Sequence, residues 1–161
     1  MFFNLLKSKA GKAGNVGKVG KVFIGMIVSI LCYGCAKELQ PQWLGPEAKV
    51  MGNGIEYIYL KNGSGEVVKG GMRVSAMVIL KIGDSTEVWN TRKTQELFVF
   101  VFRKDNMIDG FEDIIGISKP GDRIKAIIPP YLGYGSEGSG DQIPRNAYLS
   151  FDIEIVYAEK N

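Results

Sequence analysis

The sequence predicts an α+β domain in which a mainly antiparallel sheet of about five strands packs on one short helix. Three observations carry this. Five segments after residue 55 have strand-like apolar runs or alternation. One segment spaces its apolar residues by three and four, and glycine- or proline-bearing turn signals separate the pieces.

Glu56-Tyr-Ile-Tyr-Leu60 is the first expected strand, ended by the turn-forming Asn62-Gly63-Ser64-Gly65. After Gly70-Gly71 the run Arg73–Ile82 forms the second, and Gly83-Asp84-Ser85 turns the chain. Leu97–Phe102 sets Phe98, Phe100 and Phe102 on one face and Leu97, Val99 and Val101 on the other. With both faces apolar, this strand is expected to be well covered rather than a solvent-facing edge. The helix is expected over Met107–Gly116, with Phe111, Ile114 and Ile115 on one side. Asp109, Glu112 and Asp113 suit its positive N-terminus, and Gly116 suits the C-cap. Two turns do not persist alone in water, so the helix must lie on the sheet. The turn Pro120-Gly121-Asp122 leads into the strand Arg123–Ile128, which Pro129-Pro130 stops. Beyond a glycine-rich loop reaching Pro144, the strand Tyr148–Val156 alternates Phe151, Ile153 and Ile155 with Ser150, Asp152 and Glu154.

The first 35 residues have a different character. A basic, glycine-rich stretch carries Lys7, Lys9, Lys12, Lys18 and Lys21 with no acid, and the uncharged run Val22–Gly34 follows. A helix of that run would span about 20 Å, short of the roughly 30 Å of a bilayer core. A positive flank, a short apolar run and a small residue form the layout of an export signal. Leu31-Cys-Tyr-Gly34-Cys35 resembles a loose bacterial lipoprotein processing site, with Cys35 as the lipidated residue. A retained membrane helix and a plain secreted protein stay open as alternatives. The expected organisation is therefore an export signal over 1–35, a tether over 36–54, and the folded domain over 55–161.

Five of the 20 basic residues and none of the 17 acidic ones fall in that leader, so the remainder carries 15 against 17. The basic character thus belongs to the leader and argues for no nucleic-acid partner; residues 36–161 contain no basic aromatic stripe. Both cysteines, Cys32 and Cys35, precede the domain, and the chain has no histidine. Thiol nucleophiles, structural disulfides, Cys/His metal sites and histidine base chemistry are thereby excluded from the domain. The reading includes no cofactor and no metal.

Tyr131-Leu-Gly-Tyr134-Gly135, continuing to Ile143-Pro144, spaces two tyrosines and an isoleucine among glycines. Such a loop can present a phenol beside an apolar hollow, or be an ordinary hairpin loop with a buried tyrosine. Met107-Ile-Asp-Gly-Phe111-Glu-Asp, Ile128-Pro-Pro-Tyr-Leu-Gly-Tyr134-Gly135 and Ile143-Pro144 followed by Leu149-Ser-Phe151-Asp-Ile-Glu-Ile resemble, in order and spacing, motifs of the FK506-binding (FKBP) class of peptidyl-prolyl isomerases. The resemblance runs from about Gly71 to Val156. It implies that family's fold, a curled, mainly antiparallel five-stranded sheet across one short helix.

The resemblance also implies a proline pocket. Phe98 corresponds to its aromatic wall, Met107 and Ile108 to its apolar side, Phe111 to its floor, and Ile143 and Phe151 to the remaining wall. Tyr134 corresponds to the hydroxyl that donates to a ligand carbonyl, and the Ile108 amide to a second donor. The catalytic set is thus Tyr134, Ile108 and Phe111. The polar half departs from the family. In one register Val88 stands at a wall phenylalanine and Trp89 at an aspartate; in the other these are Trp89 and Asn90. Either way the carboxylate is lost, and Val78 stands where the family has a tyrosine. Trp89 is counted among the substrate-binding residues. The activity implied is isomerisation of Xaa-Pro bonds in exported proteins, with FK506-like macrolides as conceivable ligands. Two rival expectations are a proline-binding or chaperone-like domain without turnover, and a structural lipoprotein scaffold.

Overall fold

The computed structural model describes residues 43–160. The expected export signal and its Cys35 lie outside them. In chain order the elements are β1 (Lys49–Val50), β2 (Glu56–Lys61), β3 (Met72–Ile82), β4 (Thr86–Asn90), α1 (Thr91–Thr94), β5 (Phe98–Val101), α2 (Asp109–Ile117), β6 (Arg123–Ile128), a 3-10 turn (Pro130–Leu132) and β7 (Leu149–Lys160). Among the described residues no helix is long and apolar enough to cross a membrane.

The strands form one antiparallel sheet in the order β1-β2-β6-β7-β3-β4, with β5 pairing β3 beside β4. The expected curled five-stranded sheet is corrected here. The sheet has seven strands and runs as an open path from β1 to β4, without closing on itself. Two strands escaped the sequence pattern for physical reasons. β1 has only two residues, set by Lys49 opposite Tyr57 and Val50 opposite Glu56, too few to show a period. β4 reads Thr-Glu-Val-Trp-Asn, with adjacent apolar residues instead of alternation, and its pairing to β3 slips between Leu80 and Lys81.

The central strand β3 faces the core with Val74, Ala76, Val78 and Leu80, all fully buried. From β6 come Ile124, Ala126 and Ile128, and from β7 Leu149, Phe151, Ile153 and Ile155. Against this face α2 lays Phe111, Ile114 and Ile115, each fully buried. Burying a side chain of this size contributes about 1.5–3 kcal/mol, which is what holds so short a helix. Its approach depends on Gly110: a Cβ there would sit 2.4 Å from Ile128 Cγ2. The helix runs one residue beyond the expected stop. Its C-cap is Ser118, whose amide donates to the Ile115 carbonyl, instead of Gly116.

Strand β5 also differs from expectation. It pairs with β3 alone and so lies at a sheet edge. Phe98 and Phe100 are buried, Val99 and Val101 are half-buried, and Leu97 is 37% exposed. Of its second face only Leu97 borders the cleft described below; Val99 and Val101 are half-buried.

Candidate active site

The N-terminal end of α2 and the strands beneath it build the apolar part of the site. Phe111 lies 5.5 Å from Phe100, 5.5 Å from Phe151 and 6.3 Å from Phe98, measured between ring centroids. Phe98 and Phe100 are stacked at 5.1 Å, and Trp89 meets Phe98 edge-on at 4.9 Å and 89°. Pairs of this geometry contribute about 0.5–1.5 kcal/mol each beyond the area they bury. Met107 and Ile108 are buried in the same core, as is Ile143. Ile108 is the helix N-cap; its carbonyl accepts from the Phe111 and Glu112 amides, and its own amide has no acceptor among the described residues.

Tyr134 arrives on a folded loop. Proline at 129 and 130 ends β6, and the 3-10 turn is closed by the Gly133 and Gly135 amides, both donating to the Pro130 carbonyl. Further on, Gly138 N donates to Tyr134 O and Asn146 N to Gly135 O, and Ser139 and Ile143 pair reciprocally. That pairing brings Ile143 inward. Tyr134 packs against the core, and its hydroxyl is buried with no hydrogen-bond partner among the described residues. Burial pushes the phenol well above the ordinary tyrosine range, so it stays protonated and able to donate. A buried donor left unpaired costs roughly 1–3 kcal/mol, an expense that a ligand carbonyl would remove.

The structure shows where the residues of both registers lie. Trp89 stands opposite Leu80 and Asn90 opposite Ile79. Successive strand residues alternate faces, so Trp89 shares the core face with Leu80 and Asn90 takes the other. Asn90 instead caps α1: its Oδ1 accepts from the Arg92 and Lys93 amides at 3.0 and 3.3 Å, and its Nδ2 donates to Glu87. Val78 is fully buried, and its amide donates to Thr91 Oγ1 at 2.8 Å.

A cleft of about 440 Å3 opens between β4 and the segment joining α1 to β5. Its apolar lining is Val88, Trp89, Leu97 and Phe98, and Glu87, Lys93 and Glu96 stand around it. Of the expected set, Trp89 and Phe98 border this cleft; Phe111 and Phe151 are fully buried behind them. Leu97 was visible in the sequence only as half of an apolar strand, and Thr91 carried no signal. Among the described residues no cluster of His, Cys, Asp or Glu could hold a metal ion.

The candidate site thus offers an aromatic core reaching the cleft through Trp89 and Phe98, and the buried, unpartnered phenol of Tyr134, which is not among the residues lining that cleft. The sequence pattern described as "FKBP-type peptidyl-prolyl cis-trans isomerase" matches residues 64–156, more than half of the chain. The chain is 30% identical over 103 residues to "FK506-binding protein 1" of Dictyostelium discoideum, covering 64% of this chain and 96% of that one. It is 29% identical over 102 residues to "Peptidyl-prolyl cis-trans isomerase FKBP53" of Arabidopsis thaliana, covering 63% of this chain but 21% of that protein. The crystal structure of FkpA from Escherichia coli superposes with a TM-score of 0.66 at 29% identity, over 71% of this chain and 52% of that one. The similarity thus spans nearly the whole of one relative, about half of another and about a fifth of the third. The chain belongs to the FKBP-type peptidyl-prolyl cis-trans isomerase family, and the enzyme class implied by the sequence resemblance is the class of that family.

Proposed function

We propose that this chain isomerises Xaa-Pro bonds of exported proteins in a pocket over Phe111, with Phe98, Met107, Ile143, Phe151 and Trp89 as its apolar surround. The observation that carries this is the buried, unpartnered hydroxyl of Tyr134, whose side chain packs against the hydrophobic core. Rotation about a prolyl bond is opposed by amide resonance, a barrier of about 18–20 kcal/mol. Withdrawing water from the imide favours the twisted, less delocalised transition state. The Tyr134 hydroxyl and the Ile108 amide then hold flanking carbonyls in place. None of this needs a nucleophile, a base or a metal. FK506-like macrolides, which also offer carbonyls to such donors, are proposed as ligands of the same surface.

A second reading has its own observation. Asn90 is turned away into the α1 cap and Val78 supplies no hydroxyl, so the polar wall has little to offer. On that reading the domain binds proline segments with little turnover. A protease-coupled assay on short Xaa-Pro peptides separates the two, with Phe111→Ala and Tyr134→Phe alongside the wild type. Turnover above the uncatalysed rate, lost more severely in Phe111→Ala, supports the enzyme. Saturable peptide binding without turnover supports the binder. Export and anchoring at Cys35 belong to the same proposal. Mass spectrometry of the mature N-terminus checks them: a lipidated Cys35 is expected, and a chain that keeps Met1 would refute it.

A further inference from the structure

A second tyrosine lies three residues before Tyr134 on the same turn and points elsewhere. Tyr131 is 67% exposed, yet its hydroxyl donates to the Asn53 backbone carbonyl at 2.6 Å. The bond spans 78 positions of sequence and joins the tyrosine loop to the segment between β1 and β2. Asn53 is itself held. Its Nδ2 donates to Asp113 Oδ2 of α2 at 2.7 Å, and the next amide, Gly54 N, donates to Met51 O at 2.9 Å. Gly54 has φ +83°, and a Cβ there would lie 2.6 Å from the Tyr131 hydroxyl oxygen. The backbone is therefore bare where the tyrosine tip lands.

The other end of the tie is equally fixed. Pro130, immediately before Tyr131, accepts from both Gly133 and Gly135 through its carbonyl, and these two glycines flank Tyr134. A displacement of Tyr131 thus reaches Tyr134 through one closed turn. The path also begins on the right element: Asp113 is two residues beyond Phe111 on α2, so the helix that supplies the aromatic floor holds the loop that supplies the hydroxyl.

We infer that Tyr131 is a positioning residue, which through Asn53 and Asp113 fixes the Tyr134 loop over the floor formed by Phe111. The inference rests on the proposed role of Tyr134 as a carbonyl donor. Its test is a double-mutant cycle with Tyr131→Phe, Tyr134→Phe and the double variant, read as kcat/KM on one Xaa-Pro peptide. Tyr131→Phe is expected to lower kcat/KM by about fivefold, the loss of one hydrogen bond's worth of placement. In the Tyr134→Phe background it is expected to have almost no effect, because the donor it positions is gone. A loss of equal size in both backgrounds would mean a general structural role and overturn the inference, as would no loss in the wild-type background. Because Tyr131 is exposed, thermal unfolding should change little, and a large fall in Tm would equally contradict a positioning role. If the wild type shows no turnover, the isomerase reading fails by itself. The cycle is then read in the affinity for the same peptide, with the same two outcomes.

Discussion

Replacing Tyr134 by phenylalanine removes a single oxygen, and its effects on stability and on activity should have opposite signs. In the free protein that oxygen is buried and has no hydrogen-bond partner among the described residues. An unsatisfied buried hydroxyl costs roughly 1–3 kcal/mol, so its deletion should stabilise the fold by about 1 kcal/mol. For a domain of this size that raises Tm by about 3–6 °C. With substrate bound, the same oxygen is expected to donate to a carbonyl; losing it costs about 1 kcal/mol, or about fivefold in kcat/KM. Calorimetric unfolding and peptide turnover on one preparation read both effects. An ordinary structural lesion lowers both quantities together. A fall in Tm would show that the hydroxyl has a structural partner, and unchanged turnover would show that it holds no carbonyl. Either result refutes the reasoning.

Phe111→Ala should destabilise by about 3–5 kcal/mol, since it empties a fully buried position among Phe98, Phe100 and Phe151. Denaturant unfolding checks this, and a loss below about 1 kcal/mol would mean that the floor collapses to fill itself. Trp89→Ala should weaken proline-peptide binding while costing stability less than Phe111→Ala does, because Trp89 borders the cleft and meets Phe98 edge-on; peptide titration with thermal unfolding compares the two. Turnover should be flat from about pH 6 to pH 9, because the chain has no histidine and burial holds the Tyr134 phenol protonated. Above that range stability should fall. Tyr134 and Tyr59 both have raised folded values through burial, with Asp122 and Tyr57 adding to the shift at Tyr59. Their contribution is complete below the unfolded tyrosine value of about 10 and is lost as pH rises through the folded values. A bell-shaped rate profile centred near neutrality would require a titrating group that this site does not contain.

Periodicity was informative wherever one face of an element meets the core and the other meets solvent. Tyr148–Val156 is such a segment; it and the long run Arg73–Ile82 both proved to be core strands of the sheet. The helix was legible because Phe111, Ile114 and Ile115 recur at its period. What escaped was set by pairing and not by pattern. Lys49–Val50 is a strand only because β2 lies beside it, and Thr86–Asn90 only because β3 does. The open course of the sheet is a property of its strand order, which no single segment encodes. At Leu97–Phe102 an apolar second face suggested a well-covered strand, while β5 lies at a sheet edge with Leu97 bordering a cleft.

The candidate site divides in the same way. Its apolar members lie inside motifs with fixed spacing and come together in one core. The polar wall depended on a register that spacing left open by one residue. Only the pairing of Trp89 with Leu80 assigns the indole to the inside and Asn90 to the helix cap. The tie from Tyr131 to Asn53 was beyond sequence altogether, since nothing local marks a contact across 78 positions.

The most direct test of the central claim is exchange spectroscopy of an Xaa-Pro peptide in the presence of the purified protein, which observes cis–trans interconversion without a coupling protease. Uncatalysed exchange takes tens to hundreds of seconds. Catalytic amounts of protein are expected to bring it to the timescale of seconds or below, with the peptide perturbing the signals of Ile108, Phe98 and Tyr134. Exchange that stays at the uncatalysed rate with the peptide saturating those same residues would contradict the isomerase account and leave a proline-binding domain in its place.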